Sequence, residues 1–400
     1  MLIIEVGGTI GDIESQPFLE AIRQLRREIP KEDSLLLLVT YVMEPPNVNE
    51  QKTKPSQHAV RELQSMGLRP DMIVSRGTHP LTEKSKEKIV MFCDVPANAV
   101  YSLPDLDHVL YAPIYLDKQG LGSTLNLMLG YENITADWVE EEKLIERFLL
   151  DGKTINIAIP GKYTRLSDSY ISVKEALKHA AAHNNVRVNI EFISTENYEK
   201  DPKCIKELQK YDGVLVPGGF GFRGAEGKVA VIKYARENNI PFLGICFGFQ
   251  HAVIEFARNV CKMEGANTTE NEPKTAFPVI DLLPEQKDVS DKGGTMRLGN
   301  HAVHLLPNTR FSKIYGKSIV EERHRHRYEV NPDYIEKFTE AGLIFSGRSE
   351  DDRRMECLEI PSHPCFIATQ YHPEFQSRPQ IPSPPYYEFV KQTVEYSKKK

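Results

Sequence analysis

Apolar residues in this chain fall in short dense runs, separated by stretches in which they recur every three or four positions. The runs "LIIEV" (2–6), "LLLLVTYV" (35–42) and "DMIVS" (71–75) predict strands. Between them "FLEAIRQLRREI" (18–29) and "SQHAVRELQSMG" (56–67) carry the helical period. Strand and helix alternating in this way predict parallel α/β units. After an acidic helix and connector, the pattern restarts with "TINIAIPG" (154–161) and continues through "RVNIEFIS" (187–194), "DGVLVPGG" (212–219), "IPFLGIC" (240–246) and "CFIATQYH" (365–372). The reading is α/β throughout: a first domain over 1–135, a linker at 136–153, a second domain over 154–378, and a proline-rich tail with a last helix at 379–400. The terminal "KKK" is expected to fray.

Length and composition narrow the function classes. A chain of 400 residues with 40% hydrophobic content has room for two domains with ordinary cores. A net charge of −6 argues against a general nucleic-acid binder. The six cysteines form no CxxC pair, so neither a disulfide framework nor a zinc site is indicated, and a reducing, cytoplasmic setting is expected. The apolar start is short and contains Glu5, and the run Leu35 to Val39 is strand-sized, so no signal peptide or membrane span is predicted.

One cysteine stands apart. In "IPFLGICFGFQHAV" a buried strand gives way to a helical pattern, and Cys246 is flanked by Gly244 and Gly248 as G-x-C-x-G. This is the nucleophile-elbow pattern with sulfur in place of oxygen. A helix N-terminus beside a thiol favours the thiolate, and nearby backbone N–H groups can hold an oxyanion. A buried structural cysteine would show the same local pattern. "CFIATQYHPEF" reads as a strand ending in His372-Pro373-Glu374, and residues two apart on a strand point the same way. Glu374 would then orient the imidazole that deprotonates Cys246. "VLVPGGFGFRG" (214–224) ends a third buried strand in Pro217-Gly218-Gly219, where two glycines let backbone N–H groups approach a substrate.

"PGGFG", "GICFGFQ" and "YHPEF", in this order, resemble the class I glutamine amidotransferases. The resemblance implies Cys246 as nucleophile, His372 as base and Glu374 as its partner. It places Gly219, Phe247, Gly248, Phe249 and Gln250 around the bound glutamine. The usual elbow has leucine and methionine where this chain has Phe247 and Phe249, which implies a repacked pocket wall. "GANTTE" (265–270), "EERHRHRYEVNP" (321–332), "EVGGTIGDIES" and "QKTKPSQHAVREL" are similar to the CTP synthases, over nearly the whole chain.

That resemblance implies a ligase of pyrimidine nucleotide biosynthesis, with a partial synthetase (amidoligase) domain at 1–135 and a glutaminase domain at 154–378. Arg327 would clamp the glutamine α-carboxylate and Glu270 its amino group. In "KTKPSQ", Lys52 and Lys54 before a helix start suit a triphosphate. The family match assigns Lys52, Thr53, Lys54, Pro55, Ser56, Gln57, Lys88, Asp12, Ile13 and Glu14 to the UTP/CTP site, and Glu5 to Mg²⁺ beside ATP. It also implies UTP, ATP and glutamine as substrates, CTP as inhibitor, GTP as allosteric activator, and a homotetramer capable of forming filaments.

The family's synthetase domain opens with a P-loop, G-x-x-x-x-G-K-[ST]. Gly152-Lys153-Thr154 has Arg147 where the earlier glycine belongs, and Gly316-Lys317-Ser318 has Phe311 there. The expectation is a chain that keeps only the glutaminase chemistry. The alternatives are a stand-alone glutaminase and a non-catalytic regulatory or filament subunit. An exposed sheet edge in the first domain is also expected.

Overall fold

The computed structural model describes residues 2–48, 50–132, 134–161, 170–219, 224–282 and 296–400. The glycine-rich stretch at 220–223 and the start of "GGTMRLG" at 293–295 lie outside them. The chain forms two compact units, Met1–Glu146 and Arg147–Lys400. Both are α/β.

In the first unit β1 (Leu37–Tyr41), β2 (Met72–Gly77) and β3 (Val100–Pro104) form a parallel sheet in that order. The helices Gln16–Glu28 and Lys54–Ser65 follow the expected apolar stripes, and a further helix, Glu83–Cys93, joins β2 to β3. Central β2 is buried along both faces and reads as a continuous apolar run, as parallel strands do. Edge strand β1 is buried on one face only, and Val39 on the other is 61% exposed. The expected strand at 2–6 does not form. A strand exists through its hydrogen-bonded neighbour, and this segment pairs with none, so Leu2, Ile3 and Ile4 are exposed.

The second unit is built on a sheet of nine strands among the described residues. They are β4 (Thr154–Gly161), β5 (Arg187–Ser194), β6 (Gly213–Val216), β7 (Phe242–Ile245), β10 (Arg297–Leu305), β11 (Ile319–His326), β13 (Ile344–Arg348), β14 (Met355–Glu359) and β15 (Phe366–Thr369). Their order is β11-β10-β13-β14-β15-β7-β6-β4-β5. The half from β15 to β5 is parallel and the half from β11 to β15 antiparallel. A small sheet joins β8 (Asn267–Thr268), β9 (Pro278–Asp281) and β12 (Glu329–Val330).

The chemistry sits where β15, β7 and β6 end side by side. These strands are parallel and wholly buried, and Phe242 stacks on Phe366 across two of them with ring centroids 4.5 Å apart. Ligands in such sheets bind beyond the carboxyl ends of the strands. Edge strand β11 shows the opposite pattern, with strict alternation of exposed and buried positions.

Two sequence expectations need correction here. The strand carrying "CFIATQYH" ends at Thr369, and His372 instead precedes a short 3₁₀ turn, Pro373–Gln376. Proline cannot donate to a ladder, so the strand stops short of it. The lysine tail is not frayed: Lys398 and Lys399 belong to the helix Pro384–Lys399, and Lys400 donates to the Tyr211 carbonyl at 3.2 Å. That helix packs in the second unit, with Phe389 and Val390 fully buried.

Candidate active site

The turn from β7 into the helix Phe247–Asn259 puts Cys246 at the helix N-cap, with φ 51° and ψ −100°. This left-handed backbone is strained for any residue but glycine. Three features hold it. The Cys246 N–H donates to the Thr369 carbonyl of β15 at 2.7 Å, its carbonyl accepts from Gln250 at 3.1 Å, and the flanking glycines admit close neighbours. A Cβ on Gly244 would sit 2.9 Å from the Gly248 carbonyl oxygen, and one on Gly248 would collide with the carbonyl of Val216. Sulfur is thereby held at the tip of a turn that only glycines on either side can pack, which is why the motif reads as it does.

His372 stands against this thiol. Its N–H is tied to the Arg323 carbonyl at 2.8 Å, its ring Nδ1 lies 2.8 Å from Glu374 Oε1, and the ring stands near Cys246, whose Sγ donates to the Arg325 carbonyl at 3.8 Å. The 3₁₀ turn achieves what the expected strand would have done, because it folds Glu374 back beneath the ring. Burial pushes the His372 imidazole down, but the charges of Glu374 and Cys246 outweigh it and hold it well above the usual histidine range. The other five thiols are all pushed up. Burial raises Cys93 to about 11, Cys365 to about 12, and Cys261 and Cys357 as well, while Cys204 is raised mainly by its hydrogen bond to Asp201.

Backbone donors and a cation surround the pair. A Cβ on Gly218 would lie 3.0 Å from His372 Cε1 and 3.6 Å from Cys246 Cβ, so the Pro217–Gly219 turn runs directly over both side chains. Lys228 was missed by the sequence reading. It is 1% exposed, its Nζ lies 4.4 Å from the Phe247 ring centroid, and a Cβ on Gly219 would come within 3.5 Å of it. Helical spacing from buried Ala225 and Ile232, three and four residues away, marks it as an inward-facing lysine. Phe247, Gly248, Phe249 and Gln250 are buried, and Gln250 Nε2 donates to the Tyr328 carbonyl at 3.0 Å and the Gln370 amide oxygen at 3.2 Å. A cleft of about 430 Å³ is lined by Thr269, Thr275, Asp281 and Tyr328, next in sequence to Glu270 and Arg327.

Two of the candidate nucleotide residues in the first unit converge, and a third lysine joins them. Lys52, Lys84 and Lys88 all meet Glu50, at 2.8, 3.5 and 3.0 Å. Lys84 was not singled out from sequence, and its position four residues before Lys88 on one helix was the available signal. Thr53 stands at the N-cap position of the helix that Lys54 and Pro55 begin, without a side-chain capping bond, and Lys54 reaches the Gln57 side chain at 3.2 Å. Ser56 and Gln57 are buried, and their side chains hold Thr40 and Thr53. Asp12 and Glu14 line a different cavity of about 530 Å³ with Glu5, while Ile13 projects outward at 80% exposure.

Among the described residues Glu5 belongs to no group of three or more side chains close enough to share one metal ion. Among the described residues the one cluster with chelating spacing is His324, His326 and Glu356, buried in the second unit, where Arg297 already holds Glu356. The residues present at Glu5 therefore do not build a Mg²⁺ centre by themselves. Among the described residues no helix is long and apolar enough to cross a membrane.

Comparison with known proteins matches two families. Residues 165–392 fit the class I glutamine amidotransferases, and residues 1–131 fit the CTP synthase N-terminus. A CTP synthase of Thermococcus kodakarensis is 52% identical over the whole chain, which spans 74% of that relative. One from Methanosarcina acetivorans is 48% identical, again over the whole chain and 74% of the relative. Among solved structures, the glutaminase domain of Trypanosoma brucei CTPS with bound acivicin superposes with a TM-score of 0.57 at 38% identity, covering 60% of this chain and 94% of that one.

Proposed function

The chain belongs to the CTP synthase family of glutamine-hydrolysing ligases, and on that premise we propose that Cys246, His372 and Glu374 release ammonia from glutamine for the ATP-dependent amination of UTP to CTP. The observation that carries the reading is the imidazole of His372, held by Glu374 at 2.8 Å and lying with Cys246 under the Gly218 turn.

The chemistry follows from the geometry. The Cys246 thiolate attacks the side-chain amide carbon of glutamine, and the carbonyl oxygen takes the negative charge. Backbone N–H groups of the Gly218–Gly219 turn and of the helix start lie on the side where that charge develops. The C–N bond breaks as the imidazolium of His372 gives its proton to the departing nitrogen, leaving ammonia and a thioester. Water then attacks the thioester while His372 takes its proton, and glutamate leaves as the thiol is restored. Glu374 stabilises the imidazolium and holds its tautomer throughout. Glu270 and Arg327 are the groups for the amino and carboxylate ends of glutamine, since a guanidinium holds a carboxylate by paired hydrogen bonds.

Ammonia acts on UTP whose 4-oxygen has been phosphorylated by ATP, displacing phosphate. Lys52 and Lys88 take the nucleotide phosphates, CTP binds there as inhibitor, and GTP serves as activator, as the resemblance implies. Labelling with a glutamine-like electrophile tests the thiol chemistry: Cys246 should be modified before the other five cysteines, and Cys246→Ala should abolish ammonia release from glutamine. Preferential modification of Cys93 or Cys261 would overturn the assignment.

A further inference from the structure

Behind the triad lies a second buried carboxyl that the chemistry above does not use. Glu322 sits on β11, 2% exposed, one residue before the Arg323 carbonyl that accepts the His372 N–H. Its Oε1 accepts the Tyr315 hydroxyl at 2.7 Å, and that hydroxyl lies 3.2 Å from the hydroxyl of Tyr371, the residue preceding His372. Its other oxygen, Oε2, is buried without a partner, and so is Oε2 of Glu374. Buried polar atoms in native proteins are almost always paired, so two orphaned carboxyl oxygens around one histidine call for a cause.

The surroundings supply one. Burial raises Glu322 to about 7, the Tyr315 hydrogen bond works against this, and the charge of Glu374 adds to it. Two carboxylates in a dry pocket cannot both stay ionised. Glu374 is already bound to the His372 ring through Oε1 at 2.8 Å, so the proton belongs on Glu322. We propose that Glu322 is a positioning residue of the glutaminase centre, a protonated carboxyl whose Oε2–H turns to the unpartnered oxygen of Glu374, directly or across one water, and fixes that carboxylate on His372. This rests on the triad reading above.

The groups around Glu322 are consistent with a neutral carboxyl there. Tyr315 comes from the helix Arg310–Tyr315, Tyr371 and Glu374 from the segment after β15, and His301 lies opposite on β10. Cys357 of β14 is a further neighbour of Tyr371. The two tyrosines and Cys357 are pushed well up and His301 is pushed down, each first by burial, so none of these four adds a charge beside Glu322 at neutral pH. Tyr386 of the C-terminal helix, also buried without a hydrogen-bond partner, feels the Glu374 charge from a further side. As pH rises through about 7, Glu322 loses the proton, the donor disappears, and a second negative charge stands beside Glu374.

The test uses the full chain with three substitutions, Cys246→Ala, Glu322→Gln and Glu322→Leu, and follows glutamine hydrolysis from about pH 5.5 to 8.5 together with thermal melting. Glutamine keeps a donor and an acceptor but cannot titrate. E322Q should hold kcat within a few-fold of wild type and lack the decline above pH 7 expected of wild type. E322L, with no donor, should lower kcat about 10- to 100-fold at unchanged KM, the range expected of a misaligned catalytic group. Full kcat in E322L, or the same pH profile in wild type and E322Q, would overturn the proposal. If E322L fails to fold, the E322Q profile alone decides. Failure of the underlying triad reading shows separately, as hydrolysis that survives Cys246→Ala.

Discussion

Gly248 and Val216 touch so closely that the helix start and the end of β6 form one packing unit: a Cβ on Gly248 would overlap the Val216 carbonyl oxygen. Val216 is the residue immediately before the Pro217–Gly219 turn that lies over Cys246 and His372. Gly248→Ala therefore pushes on backbone, which gives less readily than a flexible side chain. Overpacking of this kind costs about 1–3 kcal/mol. The expected result is a lower melting temperature and a loss of glutaminase kcat, because the added methyl displaces the turn that faces the reacting carbonyl. A variant with wild-type melting and turnover would show that the two segments move independently.

The charge on His372 is set by its neighbours, so its pH dependence is open to test. Its folded-state affinity for a proton is raised above that of the unfolded chain, chiefly by Glu374 and Cys246 against burial. Stability from this group is complete below about pH 6.5 and is lost as pH rises through the folded value. Glu374→Gln removes the larger of the two supporting charges. It should lower kcat by about 10²- to 10⁴-fold, the span for an orienting acid and its base. KM for glutamine should change little, and the alkaline limb of Cys246 alkylation should move to lower pH. An alkylation profile identical to wild type would remove Glu374 from the site.

Buried neutral histidines predict the opposite behaviour in acid. Burial, aided by the Lys228 charge, pushes His251 down to about 3, and burial pushes His363 down to about 4. Unfolded histidine takes up a proton near pH 6.5. Between about pH 6.5 and 4 the unfolded state thus binds protons that the folded state refuses, and stability falls as pH falls. Urea midpoints measured across that window should drop steadily for wild type. His251→Phe should be less stable at neutral pH yet show a shallower slope. Equal slopes would mean that His251 gains a proton while folded.

These sites differ in how far they could be read beforehand. Cys246, Gly244 and Gly248 announce themselves because the strained turn tolerates few residue types, so local sequence and local geometry carry the same information. His372 and Glu374 were legible as a pair, although through the wrong element: the proline that follows His372 ends the ladder and substitutes a 3₁₀ turn. Glu322 and Lys228 were not singled out. Each stands in a pattern whose burial depends on partners far along the chain, Glu322 on Tyr315 and the turn after β15, Lys228 on Phe247. The segment 2–6 has strand composition but no neighbour to pair with, and pairing is a property no single segment encodes.

In the first unit, the convergence of Lys52, Lys84 and Lys88 on one carboxylate gives the last prediction. Glu50 is held down to about 2 by hydrogen bonds from Lys52 and then Lys88. It thus occupies the position of an anion among three cations, at a half-exposed surface where a larger anion can replace it. A nucleotide triphosphate carries more charge than one carboxylate and offers several acceptors to the same ammonium groups. Lys52→Ala and Lys88→Ala should each weaken UTP and CTP binding by about 10- to 100-fold, the range for a lost charge-assisted hydrogen bond. Melting temperature should stay nearly constant, since exposed ion pairs contribute little to stability. Glu50→Gln should tighten binding, because the competing charge is gone while the lysines remain, and added salt should weaken all of these complexes. Calorimetric titration of the chain with UTP and with CTP decides the matter. Weaker binding in E50Q would mean that Glu50 preorganises the lysines rather than competing with the ligand, and unchanged binding in both lysine variants would place the phosphates elsewhere.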